Sequence, residues 1–255
     1  MLLAVDVGNT QTTIGLFDGT ALSGNWRVAT DLRSTGDEIA VLLESLLHLD
    51  GFKRRSVTGI AVSSVVPRLS GEYSAMALAK FGAVALVVGP GVKTGMPILT
   101  NDPRQVGPDL IVDAVAAYEG YGGPCIVVDF GTATTFAAVS AAGEYLGHAI
   151  APGIEISLDA LATQAARLTK VELEEPDSVI GKNTTQAMQA GAIYGFAGQV
   201  DGIVRRMRRE LDAEAVSVAT GGLAALMFGH ATTLDKLDPL LTLRGLAIIY
   251  RLNQQ

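Results

Sequence analysis

The chain carries one short signature twice, and that repetition limits the folds open to it more than any other feature. Near the start, an apolar run ends in Val5-Asp6-Val7-Gly8-Asn9-Thr10; midway along, another ends in Val128-Asp129-Phe130-Gly131-Thr132-Ala133. Each reads as a buried strand, an Asp-x-Gly at the strand end, an Asn/Thr-rich turn, and a second apolar strand. Such a turn directs successive backbone N–H groups to one side, where with Thr hydroxyls they form a concave anion site. Glycine leaves out the Cβ that would hold a phosphate away. The aspartate can hold a hydrated Mg²⁺, which keeps several waters and binds through one or two carboxylates. One Asp-x-Gly alone is an ordinary structural turn. Two at matching positions point to two related domains that clamp a triphosphate from both sides.

The surrounding pattern repeats as well. Residues 2–7, 12–17 and 22–29 read as strands, with Asp18-Gly19 a good hairpin turn between the second and third. A helix follows over 37–49, capped by Thr35, with Asp37 and Glu38 favourably placed in its first turn. Then come a strand over 57–65 halted by Pro67, a helix over 69–81 and a strand over 83–88. The second series runs through strands 125–130, 134–139 and 145–150, with a turn at Ala142-Gly143. A helix over 156–168, a polar stretch 172–183 and a long helix 184–211 come next. A strand over 215–219, Gly221-Gly222, a short helix and a closing helix over 241–253 end the chain. The order β-β-β-α occurs twice, so the expectation is an α/β protein of two domains with a cleft between them. Glycines cluster with Pro124 over 118–124, which places the boundary there: 1–120 and 121–255, with the closing helix free to pack back on the first domain.

Composition excludes several classes. With a net charge of −7, the chain lacks the basic field that nucleic-acid phosphates require. The dense basic run Arg205, Arg206, Arg208 and Arg209 closes the long helix and reads as a solvated face complementing its dipole. Cys125, the single cysteine, lies in an apolar run and reads as a buried strand thiol. One cysteine permits no disulfide within the chain, which fits a reducing cytoplasm. The opening residues read as a strand and not as a signal peptide, and no apolar run approaches the ~20 residues of a membrane helix. Gly181-Lys182-Asn183 lacks the spacing of a P-loop. His48, His148 and His230 lack metal-ligand spacing and read as structural. Ala219-Thr220-Gly221-Gly222, a strand ending in a double glycine, would let a flat adenine or ribose approach the backbone, or is an ordinary strand-to-helix turn.

Five separated motifs carry a resemblance. Asp6-Val7-Gly8-Asn9-Thr10, Ser63-Ser64-Val65-Val66-Pro67, Val127 to Thr135, Ala151-Pro152-Gly153 and Gly181-Lys182-Asn183-Thr184 are similar, in order and spacing, to those of type III pantothenate kinases along nearly the whole chain. The resemblance implies a duplicated actin/hexokinase-like (ribonuclease H-like) fold, ATP with Mg²⁺, a monovalent cation (K⁺ or NH₄⁺) and a homodimer. It implies that Asp6, Val7, Gly8, Asn9, Thr10, Gln11, Thr12 and Thr13 form the ATP phosphate loop, with Asp6 also near Mg²⁺. Thr132 would be a second nucleotide contact, Asp129 a ligand of the monovalent cation, and Thr184 a pantothenate contact. Gly107-Pro108-Asp109-Leu110 aligns with the substrate and catalytic motif, in which the aspartate is the general base. Read from the residues alone, Asp109 at the head of a helix is better explained as a cap; the resemblance reverses that preference.

Two positions depart from the family pattern: Leu110 stands where it has arginine, and Thr100 where it has tyrosine. The first change removes a cation from a site expected to hold a carboxylated substrate. The implied reaction is ATP-dependent phosphorylation of the primary hydroxyl of pantothenate, the first step of coenzyme A synthesis. Two alternatives stay open: a kinase of this fold acting on another small alcohol, which Leu110 favours, and a non-catalytic ATP-binding relative. Retention of Asp6, Asp109 and Asp129 speaks against the second.

Overall fold

A computed structural model describes residues 1–165 and 168–254 of the chain, and every element below lies among these. Strands β1 (Leu2–Val7), β2 (Gln11–Asp18) and β3 (Ala21–Ala29) form an antiparallel meander. Helix α1 (Gly36–Leu49) follows, then β4 (Gly59–Ser64), α2 (Pro67–Met76) and β5 (Ala85–Val87). Helix α3 (Pro108–Tyr121) leads to the second meander: β6 (Cys125–Phe130), β7 (Ala133–Val139) and β8 (Tyr145–Pro152). Then come α4 (Ile154–Gln164), α5 (Thr184–Leu211), β9 (Val216–Thr220), α6 (Ala224–Phe228), β10 (Lys236–Leu237) and α7 (Leu241–Leu252).

The two sheets have one topology. The first runs β3-β2-β1-β4-β5 and the second β8-β7-β6-β9-β10, read in the matching direction. In each, the meander is antiparallel and the last two strands join parallel to the first. The likeness extends to an irregularity. The outer hairpin slips register between Leu16 and Phe17 in one sheet and between Ala138 and Val139 in the other. A bulge at that place bends and twists the hairpin.

The chain divides into two compact units. One comprises Met1–Pro97, Asn101–Ala116 and the chain from Leu241 on; the other comprises Ile98–Thr100 and Ala117–Leu240. In the first, Leu3, Val5, Ile14 and Leu16 of the sheet pack against Leu43 and Leu47 of α1 and Leu69 and Tyr73 of α2. Helix α7 covers this sheet too, burying Leu241, Leu243, Leu246 and Ile249. In the second, Ile126, Val128, Phe130 and Phe136 pack with Met188, Ala192, Val200 and Val204 of α5. Cys125 is fully buried in β6, and burial pushes its thiol up to about 12.

Helix boundaries follow local chemistry. Thr35 caps α1 in a full capping box with Glu38, the hydroxyl accepting from the Glu38 N–H and the carboxylate from the Thr35 N–H at 2.8 Å. Asn183 caps α5 by accepting from the Gln186 N–H at 2.9 Å. Pro67 does not merely halt a strand; it opens α2, because a residue at the first helical position needs no N–H. Helix α2 is shorter than the periodicity suggests, giving way to a π-helical turn over Ala77–Phe81. The strand expected over 57–65 is shorter, Gly59–Ser64, and a 3-10 turn over Arg54–Ser56 precedes it. Helix α4 begins two residues earlier than residue 156, at Ile154, and ends at Gln164; Ala166 and Arg167, at the end of the helix expected there, lie outside the described residues.

The basic run at the end of α5 is not uniformly a solvated face. Arg208 donates to the Ala215 carbonyl at 3.0 Å and to the Asp235 carboxylate at 2.5 Å. Arg205 pairs with Asp201 at 3.0 Å, whose carboxylate also receives Thr232 and Thr233. These side chains tie α5 to the β9–β10 edge, which helical periodicity cannot reveal.

Candidate active site

In the first unit the β1–β2 turn closes with the Gly8 N–H donating to the Gln11 carbonyl at 3.0 Å. That leaves Asn9, Thr10 and Gln11 exposed at the tip. Val7 and Thr12 pair across the hairpin, and both side chains lie in the core, Thr12 at 3% exposure. They shape the turn from within and reach a ligand only through their backbones. The Thr12 hydroxyl sits 2.9 Å from that of Thr30 and near the Tyr73 phenol. The Thr30 N–H donates to the Thr10 carbonyl at 2.9 Å. The tip is therefore held from its far side by the end of β3.

Asp6 lies opposite Thr13 on β2 and opposite Ser63 on β4. Directly paired residues share a sheet face, so the three polar side chains form a row. The Asp6 carboxyl is pushed up to about 7, first by burial, then by the negative charge of Asp109; the Ser63 hydroxyl pulls it back. Coulombic action between the two aspartates places them in one neighbourhood. Asp109 occupies the first turn of α3, one residue inside Pro108. A Cβ on Gly107 would lie 2.4 Å from the Asp109 Oδ1, so only glycine at 107 leaves room for that carboxylate. Leu110 is 7% exposed, packed under the same turn. The role of Ser63 was not visible in the sequence, because it depends on the register of β1 against β4.

In the second unit Asp129 repeats the arrangement, opposite Thr135 on β7 and Thr220 on β9. The Gly131 N–H closes the turn onto the Ala133 carbonyl at 3.0 Å, and Thr132 is exposed at its tip. Gly221 has φ +95°, and a Cβ there would lie 2.2 Å from the Asp129 Oδ1. This glycine serves close packing of backbone on a carboxylate. Thr184 is exposed at the first position of α5, beyond its cap. The Thr100 hydroxyl is buried and finds no hydrogen-bond partner among the described residues. So Asp6, Ser63, Asp109 and the Asn9–Gln11 tip share one unit, while Asp129, Thr132 and Thr184 belong to the other.

Among the described residues no three His, Cys, Asp or Glu side chains group to hold a metal, and no helix is long and apolar enough to cross a membrane.

Two copies of a five-stranded sheet, each with a carboxylate near the end of its first strand, define a class: the duplicated actin/hexokinase-like fold. A ROK hexokinase from Thermus thermophilus matches with a TM-score of 0.50 and 12% identity, over 100% of this chain and 99% of that one. A Campylobacter jejuni protein ascribed to the Baf family of transcriptional activators matches with a TM-score of 0.61 and 21% identity, over 99% and 98%. At these identities the likeness is one of fold. Sequence narrows the class. The profile of type III pantothenate kinases matches residues 2–206. A type III pantothenate kinase from Moorella thermoacetica is 53% identical, over 99% of this chain and all of its own length. Another, from Streptomyces avermitilis, is 54% identical over 99% and 98%. The chain belongs to the type III pantothenate kinase family.

Proposed function

We propose that the protein transfers the terminal phosphoryl group of ATP to the primary hydroxyl of pantothenate, forming 4'-phosphopantothenate at the entry to coenzyme A synthesis. The observation that carries this reading is the Asp6–Asp109 pair, which sets a strand-end carboxylate at a phosphate-type turn beside a second carboxylate on α3. In this reading the Asn9–Gln11 tip and Thr13 hold the phosphates, with Val7, Gly8 and Thr12 fixing the turn. Thr132 makes the second nucleotide contact. Asp109 orients the acceptor hydroxyl and takes its proton, a role open to a carboxylate. Gly107 and Pro108 fix where that carboxylate stands, and Thr184 contacts the acceptor. Mg²⁺ near Asp6 supplies charge neutralisation for the phosphate oxygens when bound. As in other phosphoryl transfers, the protein's work is positioning and electrostatics.

Asp129, with the Thr135 and Thr220 positions flanking it, is the proposed ligand of a monovalent cation. A homodimer is the proposed assembly, in the cytoplasm. It is supported by α5, where Ala187, Gly191, Gly195 and Gly198 form an exposed stripe of small residues. The space beside each of those three glycines is open, which permits close approach of a second helix. Purified protein supplied with Mg·ATP and pantothenate should form phosphopantothenate, run faster in K⁺ or NH₄⁺ than in Na⁺, and sediment as a dimer at micromolar concentration. Equal rates in the three salts would remove Asp129 from cation binding, and a monomeric mass would remove the dimer.

The second reading is another small alcohol as acceptor, and Leu110 is what favours it. A packed leucine offers an acceptor carboxylate no cation. Pantothenate and pantothenol, which lacks the carboxylate, separate the readings. A strong preference for pantothenate supports the first; indifference, with faster turnover of a different alcohol, supports the second.

A further inference from the structure

The two units serve as controls for one another, and they differ at the tip of the phosphate-type turn. In both, the residue after the third strand of the meander, or at its end, donates to the tip carbonyl: Thr30 to Thr10 at 2.9 Å, and Gly153 to Thr132 at 3.1 Å. In the second unit α4 then starts at once, at Ile154, with Glu155 in its first turn. In the first unit five residues, 31 to 35, intervene before α1 begins at Gly36. This insertion carries Arg33.

The insertion is pinned. Arg68 of α2 donates to the Leu32 carbonyl at 2.6 Å and to the Arg33 carbonyl at 3.2 Å. Glu72, one turn further along α2, accepts from the Gly36 N–H at 2.8 Å. The Arg33 N–H donates to the Asp31 carboxylate at 2.9 Å. The backbone is fixed, yet the Arg33 side chain is 92% exposed, and among the described residues its ion pair is with the Asp31 carboxylate, at 3.6 Å. An exposed pair of that length contributes little, so a phosphate can displace it. Residues 6 to 13 contain an aspartate and no lysine or arginine, while a triphosphate with its magnesium retains negative charge. Arg33 lies three steps along the chain from Thr30, a span of at most about 11 Å even when extended, and the Arg33 side chain adds its own reach.

We infer that Arg33 is a nucleotide-binding residue: its guanidinium contacts the terminal phosphates of a nucleoside triphosphate held on the Asn9–Gln11 tip. The inference rests on that tip being the nucleotide site. Arg33 supplies charge and forked hydrogen bonds suited to phosphate oxygens.

The test is equilibrium binding of Mg·ATP and of AMP to four forms: wild type, Arg33→Gln, Arg33→Lys and Asn9→Asp. All three substitutions fall on exposed positions. Arg33→Gln should weaken Mg·ATP binding roughly three- to tenfold, the loss of a charged hydrogen bond reduced by solvent. AMP, which lacks the terminal phosphates, should bind as before, and Arg33→Lys should recover much of the loss. Asn9→Asp places a negative charge at the tip and should also weaken Mg·ATP. If Asn9→Asp weakens Mg·ATP and Arg33→Gln does not, the role of Arg33 is overturned and the nucleotide site stands. If neither does, both fall. Equal weakening of AMP and Mg·ATP by Arg33→Gln also overturns the role, because the effect would not be at the terminal phosphates.

Discussion

Replacing Asp109 with asparagine is expected to cost about 10²- to 10⁴-fold in phosphoryl transfer, the range supplied by a positioned general base, while Mg·ATP still binds. The expectation comes from where Asp109 stands. Its carboxylate rests against Gly107 in the first turn of α3 and acts on Asp6 by charge. Asparagine keeps the shape and removes both the charge and the ability to accept the hydroxyl proton. The negative charge that helps raise the Asp6 pKa disappears with it, so Asp6 ionises more readily and nucleotide binding should hold or improve. Single-turnover rates together with nucleotide titrations make the comparison. Wild-type turnover in Asp109→Asn would place the base elsewhere and refute the assignment of this segment.

Asp6→Asn should lose at least a hundredfold in Mg·ATP-dependent turnover, yet the protein without metal or nucleotide should become more stable at neutral and alkaline pH. The sign follows from linkage. The folded-state pKa of Asp6, about 7, lies above its ordinary 3.8. The folded protein therefore binds that proton more tightly than the unfolded chain does, and stability falls as pH rises from about 4 to about 7. Above 7 the penalty is complete, at most about 4 kcal/mol at 1.36 kcal/mol per pKa unit. A neutral isostere carries no such penalty. Thermal melts in chelator should show Asp6→Asn above wild type at pH 8, with the gap closing toward pH 4. A gap that is constant with pH, or reversed, would contradict the charged and confined site described for Asp6.

Both effects arise from a neighbourhood that only part of the sequence announced. The Asp-x-Gly turns, the strands of both meanders and the limits of α5 were legible because each depends on nearby residues: short apolar runs, turn glycines, and Asn183 before Thr184. The family motifs marked Asp6 and Asp109 as important. Nothing local said that the two act on one another, because that depends on how α3 meets the end of β1. The Ser63 position beside Asp6 depends on strand register in the same way. Pro67 misled for a local reason: it is as much at home at the first helical position as after a strand. Arg208 misled because its partners, Ala215 and Asp235, come from the residues just before β9 and β10, after the helix has ended. The Gly221-Gly222 turn was legible, but the packing of Gly221 on the Asp129 carboxylate was not, because it depends on the pairing of β6 with β9.

The membership of α7 in the first unit bears on how the chain acquires its structure during synthesis. The second unit consists of Ile98–Thr100 and the stretch Ala117–Leu240, all of which precedes α7 in the chain. The first unit lacks α7, with Leu246 and Ile249 fully buried, until Leu241–Leu252 emerge. A Cβ on Gly245 would lie 2.1 Å from the Val112 carbonyl, so α7 docks backbone-close against a helix made long before it. On the ribosome, the half translated first must wait with an uncovered sheet while the half translated second already has all its parts. The N-terminal half is then the later of the two to mature, and it is the one a nascent-chain chaperone has most reason to hold.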